Sequence, residues 1–180
     1  MEPFQTTLAN RVEFKGVGLH KGGFATVKIE PAETNSGICF IRTDLLHKPR
    51  IVASPSSIVS TNLCTTIGND SGDKVSTIEH LMASFVGLGI DNAIVKINSC
   101  EVPIMDGSSF DFVKRFKEAG IVTQDLRKNN YEIKESIRVG SGLQFIKYEP
   151  SVPQYKRSLL IECIIEFPDT AIGLQKLSFE

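Results

Sequence analysis

Histidine is scarce in this chain: 180 residues contain only His20, His47 and His80. A metal centre built on imidazoles therefore has little to draw on. The four cysteines, Cys39, Cys64, Cys100 and Cys163, form no C-x-x-C pair. They sit in apolar or strand-like contexts, where a free thiol behaves as a small buried hydrophobe. That argues against a disulfide framework and for a reducing compartment. Charge of one sign is also lacking. Twenty Lys and Arg against 21 Asp and Glu leave a net charge of −1 and a pI near 6.3, which speaks against a nucleic-acid or anionic-membrane surface. The local basic clusters, Lys114-Arg115-Lys117 and Lys156-Arg157, read as solvated faces. No apolar run is long enough to span a bilayer. Met1–Leu8 has neither a basic n-region nor an apolar h-region, so no signal peptide is expected. The expected location is cytoplasmic, with no membrane span.

What is present is an ordinary globular composition, with 41% hydrophobic residues. The length suits one large domain, or one domain and part of a second. Val27 and Ile29 alternate with polar neighbours in Ala25–Glu30, a half-buried strand ended by Pro31. Ile38–Arg42 reads as a second strand, Cys64–Ile67 as a third entering a turn, and Asn92–Ile97 as a fourth. Between them a helix is expected from about Ser76 to Val86, with Ile78, Leu81, Met82, Phe85 and Val86 on its apolar face. Gly87 and Gly89 would stop it. A second helix is expected from Ser108 or Ser109 to Gly120, burying Phe112, Val113, Phe116 and Ala119. Gln124–Asn130 has the composition of a linker. Strands are then expected at Tyr131–Val139, Leu143–Tyr148 and Leu159–Phe167, with a turn at Gly140-Ser141-Gly142. The last is a nearly continuous apolar run, the mark of a strand covered on both faces, yet no helix follows it. The expectation is an α+β chain: a complete domain over residues 1–126 and an incomplete, strands-only second unit over 127–180.

The chemistry-bearing stretch is Ser76-Thr77-Ile78-Glu79-His80-Leu81-Met82-Ala83. A carboxylate beside an imidazole suits a metal-bound water and its general base. The competing structural reading is a capping box, with Glu79 reaching back to the Ser76 N–H and His80 solvated. Gly16-Val17-Gly18-Leu19-His20-Lys21-Gly22-Gly23 is not a dinucleotide fingerprint, because its sixth position is Lys21 and a strand follows. It reads as tight turns between strands, with His20 able to project into a cleft. Glu101-Val102-Pro103-Ile104-Met105-Asp106-Gly107-Ser108-Ser109 reads as a turn leading into a helix.

Together with Gln5-Thr6-Thr7-Leu8, Phe40-Ile41-Arg42-Thr43-Asp44-Leu45 and Gly87-Leu88-Gly89-Ile90-Asp91-Asn92, these segments resemble the N-terminal half of the UDP-3-O-acyl-N-acetylglucosamine deacetylase family, the zinc amidases of lipid A biosynthesis in Gram-negative bacteria. The resemblance covers nearly the whole chain and weakens after about residue 126. It implies a two-layer, sheet-plus-helices domain of the ribosomal protein S5 domain 2-like type, followed by an incomplete second copy. It implies Glu79 as the catalytic general base and His80 as a zinc ligand. It also implies Leu63 and Cys64 near the substrate acyl group and His20 at the border of the sugar-nucleotide cleft.

In that family a His and an Asp from the second domain complete the zinc site. The proton-donating His, a Lys and the oxyanion-stabilising Thr also lie there. None of these is matched here. The resemblance therefore implies UDP-3-O-acyl-N-acetylglucosamine as substrate and zinc as cofactor, with this chain supplying the base and one ligand. Activity of the chain alone is doubtful on this reading. A complementary C-terminal polypeptide or self-association would be the partner, and a non-catalytic remnant or a sugar-nucleotide binding or interaction module is the alternative.

Overall fold

Period-two alternation writes most of this fold. The chain begins with strands β1 (Phe4–Leu8), β2 (Val12–Val17), β3 (Phe24–Pro31), β4 (Ile38–Arg42), β5 (Arg50–Val52), β6 (Ile58–Ser60), β7 (Thr66–Gly68) and β8 (Lys74–Val75). Helix α1 (Glu79–Leu88), strand β9 (Ala93–Ile97), helix α2 (Phe110–Ala119) and strand β10 (Ile121–Arg127) follow. Strands β11 (Ile137–Ser141), β12 (Gln144–Tyr148), β13 (Ile161–Phe167) and β14 (Gly173–Phe179) come last. The computed structural model describes residues 3–129, 131–150 and 159–179. The chain divides into two units, Glu2–Lys128 and Asn129–Glu180.

In the first unit, five strands form a sheet in the order β2-β3-β9-β4-β5. All neighbours are antiparallel except β4 and β9. A parallel pair needs a long crossover, and the chain between β4 and β9 carries β5 to β8 and α1. Ala25, Val27 and Ile29 of β3 and Ala93, Val95 and Ile97 of β9 are fully buried. Leu81 and Phe85 of α1 and Phe112 and Phe116 of α2 join the same core. Phe14 of β2 meets Phe112 edge-on at 4.8 Å and Phe116 at 5.9 Å, and Phe85 stacks on Phe116 at 4.9 Å. Such pairs add about 0.5–1.5 kcal/mol each beyond the area they bury. They join both helices to β2, and the α+β class is as expected.

Several local expectations change. Helix α1 starts at Glu79, not Ser76, and the capping box does not form. Ser76 is extended and bridges Glu101 in parallel; its N–H donates to the Cys100 carbonyl and its own carbonyl accepts the Val102 N–H. Gly89 ends α1 in the left-handed region at φ 69°, with its N–H on the Phe85 and Val86 carbonyls, whereas Gly87 lies inside the helix. Val86 is exposed, because one residue beyond Phe85 is a rotation of about 100° off the buried line. The third strand begins at Thr66, leaving Cys64 in the preceding loop.

The expected linker is largely strand β10, paired antiparallel with β1 through Leu8↔Ile121 and Thr6↔Thr123. Its polar residues misled because this seam is built from amides. The Gln124 side chain donates to the Ala32 carbonyl at 2.9 Å and accepts from Asn92, which also donates to Gln5.

The second unit contains two hairpins among its described residues, β11–β12 and β13–β14. Ser141 pairs with Gln144, so the turn is Gly142-Leu143 and Gly140 lies in the strand. The strand expected from Tyr131 begins only at Ile137. Strand β14 was not anticipated, and β13 is exposed along its length instead of covered on both faces. All four cysteines are free; Cys163 is exposed, contrary to the expectation of burial. Among the described residues no helix is long and apolar enough to cross a membrane.

Candidate functional site

The entry into α1 organises the site. After β8, Thr77 takes φ 57°. For a β-branched residue this is an outlier that costs about 1–2 kcal/mol. The kink leads directly to Glu79 and His80 at the start of the helix. Glu79 is half-buried, and its Oε2 accepts the Thr65 N–H at 3.0 Å. The Thr65 carbonyl in turn accepts the Ile78 N–H at 3.4 Å. Oε1 of Glu79 has no hydrogen-bond partner among the described residues. One oxygen is thus held and the other is open, which suits a group that accepts a proton.

The Thr65 contacts bring the Leu63–Thr65 segment to the helix start. Leu63 stands at φ 62° with its side chain exposed. Cys64 is half-buried, its Sγ 3.7 Å from Thr66 Oγ1. Of this segment only Thr65 is hydrogen-bonded to Glu79; Leu63 and Cys64 precede it directly in the chain.

His80 is half-buried, and its carbonyl accepts the Ser109 hydroxyl at 2.8 Å. Ser109 does occupy the N-cap position of α2, but its hydroxyl makes no cap bond. It ties the start of α2 to the first turn of α1 instead. The Asp106 carboxyl lies below the ordinary carboxylate range. The backbone N–H and hydroxyl of Ser108 are the main causes, and the nearby His80 ring adds a smaller favourable contribution.

His20 is exposed on the hairpin between β2 and β3, which forms the tight turn that the glycines imply. The structure engages its backbone rather than its ring. The His20 N–H donates to Glu101 Oε1 at 2.9 Å and the Lys21 N–H to Oε2 at 2.8 Å. The Thr77 hydroxyl donates to Oε1 at 2.9 Å. Glu101 is only 1% exposed. Burial pushes its carboxyl up, but the His20 and Lys21 N–H groups and the Thr77 hydroxyl outweigh burial and hold it below its ordinary value. Sequence reasoning missed Glu101 and Asp106, having taken the stretch as a turn and a helix start. The available signal was an acidic residue set against the apolar Val102-Pro103-Ile104.

Two open hollows of about 330 and 470 Å³ lie along β2 and α2, bordered by Lys15, Met105 and Asp111, and neither is lined by Glu79, His80, Leu63, Cys64 or His20. Among the described residues no group of three His, Cys, Asp or Glu could hold a metal ion. His80 offers one imidazole, whereas a catalytic zinc normally takes three protein ligands. The donor set described here does not complete such a centre.

The model of the UDP-3-O-acyl N-acetylglycosamine deacetylase family matches residues 5–180. A UDP-3-O-acyl-N-acetylglucosamine deacetylase of Haemophilus influenzae is 38% identical over 176 residues, covering 98% of this chain and 56% of that protein. The enzyme of the same name from Shewanella violacea is 44% identical over 147 residues, covering 82% of this chain and 48% of its own length. The chain spans about half the length of the curated relatives it matches.

Proposed function

The chain belongs to the UDP-3-O-acyl N-acetylglycosamine deacetylase family, and from that premise we propose that it carries the general-base share of deacetylation of UDP-3-O-acyl-N-acetylglucosamine. The observation that supports this most is the half-fixed Glu79 carboxylate, with Oε2 on Thr65 and Oε1 open, one residue before His80. In this reading Glu79 Oε1 takes the proton of the water that attacks the acetamide carbon. Thr65 keeps the carboxylate from rotating away. The Leu63-Cys64 segment borders the acyl group, and His20 borders the sugar nucleotide.

His80 is the single zinc ligand assigned to this chain. The described residues do not build a complete zinc site, so the chemistry assigned here stops at the base and its placement. A complementary C-terminal polypeptide would supply the missing groups; self-association is the other partner in this reading. The same reading takes residues 1–126 as a ribosomal protein S5 domain 2-like fold, supported by two helices joined to a five-stranded sheet. Residues 127–180 are then a partial second copy, and the site of action is cytoplasmic.

Calorimetric titration of the chain with UDP-3-O-acyl-N-acetylglucosamine tests the proposal. Binding is expected, and Glu79→Gln should leave it in place, because a base acts on the transition state more than on the bound ground state. Absence of binding to the wild-type chain would overturn the reading.

A further inference from the structure

Glu101 is a buried carboxylate that the base chemistry does not use. No Lys or Arg forms an ion pair with it among the described residues. Three donors replace a cation: the N–H groups of His20 and Lys21 and the hydroxyl of Thr77. Two of these belong to the β2–β3 hairpin and one to the kink two residues before Glu79. A carboxylate suits this arrangement because it only accepts hydrogen bonds, through both oxygens. A glutamine would turn an NH₂ group toward one of the three donors. The hairpin is shaped to admit the carboxylate. Gly18 has no side chain where a Cβ would collide with Glu101 Oε2. Gly16 is similarly close to Pro103, at 3.0 Å for a Cβ. The parallel bridge between Ser76 and Glu101 fixes the Glu101 segment beside the Thr77 kink through their backbones.

We propose that Glu101 is a positioning residue, whose carboxylate clamps the His20 hairpin to the Thr77 kink and so sets the placement of the Glu79-His80 helix start relative to that hairpin. The clamp is a statement about the fold. Its importance for binding rests on the deacetylase reading, in which the hairpin borders the sugar nucleotide and the helix start bears the base. Thr77 acts as the coupling element. Its hydroxyl bond to Glu101 helps hold a backbone conformation that a β-branched residue otherwise avoids.

Amide exchange and backbone NMR shifts of the full chain test the clamp without requiring activity. In Glu101→Gln, exchange at His20 and Lys21 is expected to accelerate roughly 10- to 100-fold, the range for losing a hydrogen bond to a charged group. Val27 in β3 and Val95 in β9 should keep their wild-type rates. Amide shifts are expected to change at Glu79 and His80 as well as in the hairpin. Thr77→Val should reproduce the change at Glu79 and His80, and Thr77→Ser, which keeps the hydroxyl, should restore wild-type shifts there. Gly18→Ala crowds the carboxylate without altering it and should release the hairpin even if Glu101→Gln fails to fold. Unchanged exchange at His20, acceleration spread equally over β3 and β9, or shifts confined to the hairpin would each overturn the proposal. A parallel titration with UDP separates the two claims. Weaker UDP binding in Glu101→Gln supports the functional consequence. Failure of the wild-type chain to bind UDP contradicts that consequence and the sugar-nucleotide reading, while the exchange data still decide the clamp.

Discussion

The Thr65 N–H and Glu79 Oε2 are hydrogen-bonded at 3.0 Å, which joins the loop after β6 to the first residue of α1. The contact replaces the capping box that Ser76 and Glu79 could have made. It leaves the second carboxylate oxygen without a hydrogen-bond partner among the described residues. Glu79→Ala removes the acceptor from a partly buried N–H and should cost about 0.5–1.5 kcal/mol. Glu79→Gln, which keeps a carbonyl oxygen, should cost less. Urea unfolding of the two variants checks the order; equal stability of Glu79→Ala and wild type would show that the contact is not held in solution.

Thr77 poses an opposing pair of effects. Glycine at this position would relieve a left-handed strain of about 1–2 kcal/mol but remove the hydroxyl that donates to Glu101. Loss of that charge-assisted bond costs about 1.5–3 kcal/mol, and glycine also loosens the unfolded chain. The expected net result is that Thr77→Gly is less stable than wild type, by denaturant midpoint at unchanged slope. A more stable Thr77→Gly would mean that strain outweighs the hydrogen bond.

Acid should unfold the first unit in a direction the carboxylates fix. Glu101 is held below its ordinary value, with hairpin and Thr77 donors outweighing burial. Asp44 is held low by the Arg42 guanidinium, and Asp106 chiefly by Ser108. The folded state therefore binds fewer protons than the unfolded one in the acid range, so stability is present above the unfolded carboxylate values of about 4 and is lost as pH falls through the lower folded values. Glu101→Gln should lower stability at neutral pH, and its curve should converge on wild type as pH falls. Parallel curves at all pH values would contradict this assignment.

Metal content follows from the donor set. The chain has three histidines, and no three-donor cluster occurs among the described residues. Metal analysis after gel filtration should find clearly less than one zinc per chain. One tightly held zinc per chain, lost in His80→Ala, would show that a complete site exists.

Much of the first unit was legible because its signals were local and periodic. Val27 and Ile29 marked β3, Leu81 with Phe85 and Phe112 with Phe116 marked the helices, and Gly89 marked the end of α1. What remained hidden depended on partners distant in sequence. Gln124 reads as linker until Asn92 and the Ala32 carbonyl are placed beside it. Ser76 reads as a cap until Glu101 arrives as its bridge partner. Glu79 and His80 could be chosen from residue type and resemblance, but the Thr65 contact and the Glu101 clamp are products of the fold. The second hairpin strand, Gly173–Phe179, was missed because its apolar residues are interspersed with polar ones and its pairing with β13 is tertiary information.

The hydrophobic core cluster runs from Leu8 to Phe116, entirely within Glu2–Lys128. A chain ending after Lys128 is expected to unfold cooperatively with a melting temperature within a few degrees of the full chain's first transition. Loss of cooperative unfolding on that deletion, followed by near-UV circular dichroism, would show that the first unit needs the remainder.

The most direct measurement of the central claim is acetate release after mixing this chain with the C-terminal part of the Haemophilus influenzae relative that it does not match. Turnover of UDP-3-O-acyl-N-acetylglucosamine is expected only from the mixture. Glu79→Gln should abolish it while substrate still binds, and His80→Ala should abolish it with loss of zinc. A mixture that binds substrate and zinc but turns over equally well with Glu79→Gln would contradict the assignment of Glu79 as the base.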